Sequence, residues 1–267
     1  QIAELSMLCG FDDDLRAQIT ATSNRARGLL TQIHPALERV LDPHLDHPAV
    51  LDLIETWPTP ADFAAAGTRR ITARLRRGAP RLADRLAAQI TAALGEQTVV
   101  VTGTKAAAVV LPKLAAQLTT LRTQRSEVAA KVEELVDDHP LHLVLMSMPG
   151  VGIRTAARLL TEIVGKQFTS AAHLASYAGL APVTRRSGTS IRGEHPSRSG
   201  NKVLKRALFL SAFAALRDPV SRAYYDRKRA EGKRHNQALI ALARRRRDVL
   251  FAMLRDGTLY DPPTRTA

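Results

Sequence analysis

The chain has 267 residues, 45% of them hydrophobic and 4% aromatic, one cysteine and a formal charge of +14. This is enough apolar material for one large or two ordinary domains, while no uncharged apolar stretch approaches the roughly 20 residues of a membrane helix. A single cysteine excludes an internal disulfide framework and a cysteine-based zinc site, and the opening Gln1-Ile2-Ala3-Glu4-Leu5 lacks a secretory pattern, so a reducing compartment is expected. The same opening lacks a methionine, as expected of a fragment or a chain missing its start.

Residues 4 to 41 read as a long amphipathic helix, with Leu5, Leu8, Leu15, Ile19, Leu29, Leu30, Ile33 and Leu37 at intervals near three, four and seven. Gly10 is the expected interruption. Asp12-Asp13-Asp14 then suits a helix start, where carboxylates cap free amides; neighbouring carboxylates on a helix diverge, which disfavours a metal site. Pro43, Pro48, Pro58 and Pro60 cut the next segment into short pieces, with helices predicted over 48–56, 60–67, 68–78 and 80–94. The 68–78 helix carries a local basic patch of Arg69, Arg70, Arg74, Arg76 and Arg77. Thr98 to Thr102 is β-branched but has no partner strand nearby, and reads as an extended connector.

Residues 104 to 136 form the clearest long helix, with Ala108, Leu111, Leu114, Leu118, Leu121, Val128, Val132 and Leu135 in an approximate heptad seam. Such a seam needs a partner, either the first long helix, giving an antiparallel pair, or a second copy of the chain. Glu133, Glu134, Asp137 and Asp138 read as a solvated face. Charge changes sharply here. Residues 1–140 hold 16 lysines and arginines against 17 acids, residues 141–267 hold 23 against 8. A domain-sized basic block dominated by arginine favours a polyanionic partner, nucleic acid above all.

Met148-Pro149-Gly150-Val151-Gly152-Ile153-Arg154-Thr155 lies between one helix end and the next helix start. Gly150 and Gly152 let the backbone turn tightly and lie against a phosphate, the new helix's free amides bind the anion, and Arg154 and Arg158 stand close by. This is helix-hairpin-helix logic; a dinucleotide-binding turn is excluded because no strand precedes it and Thr155 occupies the third glycine position. Phe168 to Leu180 reads as a further helix, capped by Thr169 or Ser170, with His173 and Tyr177 expected in the core.

Pro182 to Lys202 is too long and polar to be a mere connection. Ser187 follows Arg185 and Arg186, with Arg192 and Arg198 near, and Glu194 and His195 suit proton transfer. Arginines around a hydroxyl are what attack on a phosphodiester requires. Chemistry alone leaves a disordered phosphate-contacting loop equally open, and Ser190, Ser197 and Ser199 compete with Ser187. A strong helix follows over 202–216, with Leu204, Leu208, Ser211 and Ala215 inward and Lys202, Lys205 and Arg206 outward. Helices over 219–232 and 236–256 complete the chain. The last bears Arg244-Arg245-Arg246-Arg247, equally readable as basic surface or nucleic-acid contact. The predicted fold is all-α: a helical, coiled-coil linker over 1–140 with a Pro-rich helical insert at about 41–103, a small domain over 141–260 containing the helix-hairpin-helix, and a disordered tail over 261–267.

The ordered set Met148-Pro-Gly-Val-Gly-Ile-Arg-Thr-Ala, Leu174-Ala-Ser-Tyr-Ala-Gly-Leu-Ala-Pro, Arg186-Ser-Gly-Thr-Ser-Ile-Arg-Gly and Gly200-Asn-Lys-Val-Leu-Lys-Arg-Ala-Leu resembles the C-terminal transposase domain of the insertion-sequence 110 family, relatives of the Piv DNA invertases. The resemblance covers 141–260, and the preceding helices resemble the family's coiled-coil linker. It implies a recombinase that moves a mobile element, guided in members by a bridge RNA, with the serine of the Ser-Gly pair, here Ser187, as nucleophile. It implies dimers or tetramers, expected through the coiled coil, and a cytoplasmic, nucleoid-associated setting in a bacterium. It also implies an N-terminal RuvC-like domain whose Asp-Glu-Asp-Asp tetrad holds magnesium. No strand-rich segment precedes the first helix here, so this chain is expected to bind DNA but not recombine it alone. The competing expectations are a non-catalytic helical nucleic-acid-binding module or inhibitor remnant, and a repair-type helix-hairpin-helix protein.

Overall fold

The computed structural model describes residues 1–96, 101–187, 191–197 and 199–262, with the backbone alone for 182–187 and 191–196. Two compact units emerge, one of Gln1–Gly10 with Ala129–Ala267, the other of Phe11–Val128. The fold is all-α as predicted, with one short antiparallel hairpin added in the polar loop. The expected connector over 98–102 and the expected tail over 261–267 lie largely outside the described residues.

In the Phe11–Val128 unit, α1 (Ile2–Ile33) runs on through Gly10 and stops instead at Pro35. Proline lacks an N–H and drives the residue before it out of the helical region. His34 accordingly takes φ −161°, and its Nδ1 accepts the Leu37 amide to cap α2 (Pro35–Leu41). Because α1 does not begin anew after Gly10, the Asp12-Asp14 run caps nothing. Asp12 is bound by Arg125 at 2.8 Å, and Asp13 lies 3.4 Å from Arg16. A short 3-10 turn (Asp42–His44) leads to α3 (Pro48–Thr56), then α4 (Pro60–Gly78) and α5 (Ala83–Gly95). Thr59 and Asp62 form a capping box at the start of α4. The two helices predicted over 60–67 and 68–78 are both present and meet in a kink at Gly67, whose non-helical φ of +70° a side chain would resist.

α6 (Thr104–Asp137) closes this unit. Its Ala107, Leu111, Leu114, Ala115 and Leu118 join Ala26, Leu30 and Ile33 of α1 and the insert residues Leu41, Val50, Phe63, Leu75 and Leu86 in one core. Burial of each large side chain contributes about 2 kcal/mol. The seam predicted to need a partner is therefore filled within the chain, and Leu121, Val128, Val132 and Leu135 are buried as well. α1 lines this seam with its order reversed relative to α6, as the Gln1–Leu135 and Asp12–Arg125 contacts record.

In the other unit, α7 (His142–Ser147) and α8 (Ile153–Ile163) flank the glycine turn, followed by α9 (Ala171–Tyr177), the hairpin β1 (Pro182–Ser187) and β2 (Ile191–Pro196), α10 (Lys202–Ala214), α11 (Pro219–Ala230) and α12 (His235–Asp256). α12 packs on α9, α10 and α11, and α8 packs on α10. Ala156, Ala157, Leu159, Leu160 and Ile163 make the buried stripe of α8, the two alanines letting the helices approach closely. The N-terminus joins this unit: Gln1 Nε2 donates to the Leu135 carbonyl at 3.2 Å and Arg158 donates to the Cys9 carbonyl at 2.7 Å. Among the described residues no helix is long and apolar enough to cross a membrane, and no cluster of three metal-ligating side chains occurs.

Candidate nucleic-acid interface

The two glycines of the 148–152 turn do different work. Gly150 takes φ +77°, and a Cβ there would meet the Ser211 carbonyl oxygen at 2.5 Å and the Ala215 amide at 2.6 Å. Its bareness serves the fit of the turn against the end of α10. Gly152 is exposed, with ordinary φ −112°, and a Cβ would meet nothing within 4 Å. No side chain caps α8: the Thr155 and Ala156 amides bond the Gly152 carbonyl, both at 2.9 Å, the Ile153 and Arg154 amides have no side-chain cap, and the exposed Arg154 stands at the positive end of the helix dipole with Thr155 half-buried beside it.

The hairpin that bears Ser187 is clamped at its base. Gly179 (φ +64°) and Gly200 (φ +93°) cross so closely that a Cβ on Gly200 would lie 2.5 Å from the Gly179 amide and 2.9 Å from the Tyr177 carbonyl oxygen. Only two glycines can cross this way. The Asn201 amide donates to the Tyr177 carbonyl at 2.7 Å. Asn201 Nδ2 donates to Glu162 at 2.5 Å and to the Tyr177 hydroxyl at 2.9 Å, while Lys166 Nζ donates to the same hydroxyl at 2.9 Å. Asn201 Oδ1 also accepts the Leu204 amide and so starts α10. Between these anchors the strands pair antiparallel, with Arg185 opposite Gly193, Arg186 opposite Arg192, and Ser187 opposite Ile191 at the last rung before the tip.

Three arginines of the α12 run are internal bolts. Arg244 Nε donates to the Leu180 carbonyl at 2.6 Å, just before the hairpin. Arg246, 4% exposed, donates to the Pro149 carbonyl and, at 2.7 Å, to Ser211 Oγ. Arg247, 7% exposed, donates to the Ala171 carbonyl at the start of α9. Burial lowers the guanidinium pKa of both, that of Arg246 to about 10. One helix thus fixes the glycine turn, α9 and the hairpin base. Arg245 alone of the run faces out, 5.0 Å from the Tyr224 ring centre, which Arg227 and Lys228 also approach at 5.0 and 5.5 Å.

With this geometry in place, relatives narrow the reading. Residues 142–226 match the model of the transposase IS116/IS110/IS902 family. The chain is 59% identical to an uncharacterized 43.6 kDa protein of insertion element IS110 from Streptomyces coelicolor, over 97% of this chain and 64% of that protein. It is 41% identical to an uncharacterized 42 kDa protein of insertion element IS900 from Mycobacterium paratuberculosis, over 99% of this chain and 67% of that protein. The chain belongs to the IS116/IS110/IS902 transposase family. Over a shorter stretch, 44% of this chain and 38% of the relative, it is 38% identical to the pilin gene-inverting protein of Moraxella bovis. This family chain thus spans about two thirds of the length of its insertion-element relatives.

The fold gathers most of the residues singled out in the transposase sequence onto one unit. Lys202 and Arg206 are exposed on α10; Lys205 is half-buried and donates to the Ser197 carbonyl at 3.0 Å. Arg154 is exposed, but Arg158 is spent on the Cys9 carbonyl. The side chains of Arg185, Arg186, Ser187 and Arg192, and all of Arg198, lie outside the described residues. His173, expected in the core, is exposed, and Tyr177 is half-buried with its hydroxyl in the clamp; both rings stand beside Phe168, with ring centres at 5.6 and 5.4 Å. Ser170 is the α9 cap. Sequence reasoning missed the bolting arginines, although a signal existed: Arg246 falls on the apolar stripe of Leu239, Leu242, Leu250 and Met253, where a charge needs an internal partner.

Proposed function

We propose that this chain is the serine-bearing portion of a DNA transposase or site-specific recombinase, with Ser187 as nucleophile. The observation that carries it is the clamped hairpin: Gly179, Gly200 and Asn201 tie its base, Arg244 holds the carbonyl before it, and its register sets Ser187 one rung from the tip beside the Arg186–Arg192 pair. A rigid mount is what a nucleophile needs if alignment with a phosphodiester is to lower the barrier. In this reading the Ser187 hydroxyl oxygen attacks phosphorus, its proton passing to the solvent or a base. A serine–phosphate ester forms, and one deoxyribose oxygen leaves and is protonated to a hydroxyl. Attack by a hydroxyl of another strand end reverses the step and completes exchange. Arg185, Arg186, Arg192 and Arg198 neutralise the charge growing on the phosphate.

Around that centre, the open amides of α8 with Gly152, Arg154 and Thr155, and the cations Lys202, Lys205 and Arg206 of α10, hold the DNA backbone. The helix-hairpin-helix role of α7 and α8, a bridge-RNA partner and a homo-oligomer belong to the same proposal. With the α6 seam filled internally, an oligomer would use other surfaces. No carboxylate set among the described residues fits a magnesium ion, Asp12 being held by Arg125, so no step here runs through a metal.

The test uses a full-length protein containing this sequence and a plasmid bearing the element ends. A covalent protein–DNA adduct is expected, with the nucleotide remnant mapped by mass spectrometry to Ser187 and lost in Ser187→Ala. An adduct that survives the substitution, or maps to Ser190, Ser197 or Ser199, overturns the assignment. Salt-sensitive binding without any adduct returns the chain to the non-catalytic module.

A further inference from the structure

The half of the chain that is close to electrically neutral overall contains a dense arginine cluster. Residues 69–85 hold seven arginines, Arg69, Arg70, Arg74, Arg76, Arg77, Arg81 and Arg85, against one acid, Asp84, whereas residues 1–140 together carry 16 basic and 17 acidic side chains. Charge kept only for solubility has no reason to concentrate so. The fold accentuates it. Phe63, Ala66, Ile71 and Leu75 of α4 face the core, which turns Arg69, Arg70, Arg76 and Arg77 outward, and Arg81 and Arg85 are exposed where α5 begins. Two of the seven are neutralised: Arg74 by Asp52, through contacts of 2.6 and 2.7 Å, and Arg76 by Asp84 at 2.8 Å. Arg69, Arg70, Arg77, Arg81 and Arg85 form no ion pair among the described residues. Trp57 orders part of the surface, with the guanidinium carbons of Arg70 and Arg74 at 6.0 and 5.8 Å from its ring centre.

We propose that this face of α4 and the start of α5 is a nucleic-acid backbone site in the Phe11–Val128 unit, separate from the hairpin. Five uncompensated guanidiniums on one exposed face repel one another, and an array of phosphates relieves that repulsion. Arginine's planar fork suits a phosphate better than the ammonium of lysine, and the cluster contains no lysine. Along α4, Arg70 and Arg77 are about 10 Å apart by helical rise, which spans a run of neighbouring phosphates. The ligand chemistry is the phosphodiester backbone of a double-helical segment.

The test measures binding of the full chain to a 30-base-pair DNA duplex and to an RNA hairpin of matching stem length across a salt series. Three variants are compared: Arg69→Ala/Arg70→Ala/Arg77→Ala/Arg81→Ala, the same four positions changed to Lys, and Arg185→Ala/Arg186→Ala in the hairpin. Each lost phosphate contact flattens the log–log salt slope by about 0.9, so the quadruple Ala variant should lose about three to four in slope with at least one probe and weaken binding about ten-fold or more. The Lys variant should keep most of the slope. Should the Ala substitutions impair folding, Arg77→Glu, on the exposed face alone, should lower the slope by about one or more. The probe that loses slope identifies DNA or RNA as the ligand. Wild-type slope and affinity with both probes in the Ala or Glu variants overturn the site. If the hairpin variant alone weakens binding, this inference fails while the serine reading, tested by the adduct, is untouched; if the α4 variant alone does, the α4 site stands and the hairpin arginines are not what holds the nucleic acid.

Discussion

Arg246→Met tests whether the α12 arginines are structural bolts or merely buried charge. In the native chain the Arg246 guanidinium donates to the Pro149 carbonyl and to Ser211 Oγ, and burial lowers its pKa from the ordinary guanidinium range to about 10. That depression, at about 1.4 kcal/mol per pKa unit, means a desolvation cost of about 3 kcal/mol for keeping the charge inside. Two hydrogen bonds from a charged donor return about 1.5–3 kcal/mol each, or about 3–6 together. The net worth of the bolt is therefore about 0–3 kcal/mol at neutral pH, and methionine, of similar length, gives that up and also leaves the carbonyl and hydroxyl unpartnered at about 1–3 kcal/mol each, so a loss of about 2 kcal/mol or more is expected. The sign with pH follows. A base whose folded pKa is depressed carries its full cost below about pH 10, and the cost is relieved as pH rises above that, so wild type should gain on Arg246→Met on the alkaline side of pH 10. Urea unfolding at pH 7 and pH 10.5, with amide exchange at Val151, whose N–H bonds the Met148 carbonyl at 3.0 Å, reads both the global loss and the loosened turn. A methionine variant as stable as wild type with unchanged Val151 protection would refute the reasoning, since the bolts would then contribute nothing to the turn they hold.

The two turn glycines should separate cleanly. Gly150→Ala, forced against the Ser211 carbonyl and the Ala215 amide at positive φ, should cost about 2–4 kcal/mol in thermal unfolding. Gly152→Ala should change stability by about 0.5 kcal/mol or less yet weaken DNA binding in a gel-shift titration, because only the approach of a backbone phosphate is obstructed. His34 is 1% exposed, burial lowers its pKa, and its Nδ1 must stay unprotonated to accept the Leu37 amide. The unfolded chain therefore takes up the proton first, stability should fall as pH drops below 6.5, and His34→Asn, which keeps a capping oxygen, should flatten that part of the melting-temperature profile. In the half-buried Asp12–Arg125 pair a double-mutant cycle should return about 1 kcal/mol, reduced by added salt.

How far the sequence could be read follows from which interactions are local. Helix ends set by proline or an adjacent cap, such as Pro48, Pro60, Ser170 and Asn201, lie where the sequence puts them, because the cap and the amides it satisfies are within three residues. Gly10 was expected to break α1 and does not, since a glycine only lowers helix stability by about 1 kcal/mol while Pro35, unweighed in the reading, removes a donor outright. The polar segment after Leu180 carries no strand pattern, yet it forms a hairpin because its two ends are pinned by partners about twenty residues apart, Gly179 against Gly200 and Tyr177 against Asn201. Nothing local announces such a clamp. The arginine run shows the same limit from the other side: four identical residues in sequence become three bolts and one exposed cation, sorted only by the 100° turn between successive helix positions and by which carbonyls the rest of the unit leaves unsatisfied. Charge counting placed the excess in the right unit but could not say that three of its guanidiniums are consumed in building the mount. The cations left over for a polyanion, among them Arg154, Lys202, Arg206, Arg217, Arg234 and Arg245, are exposed residues whose positions face away from that framework.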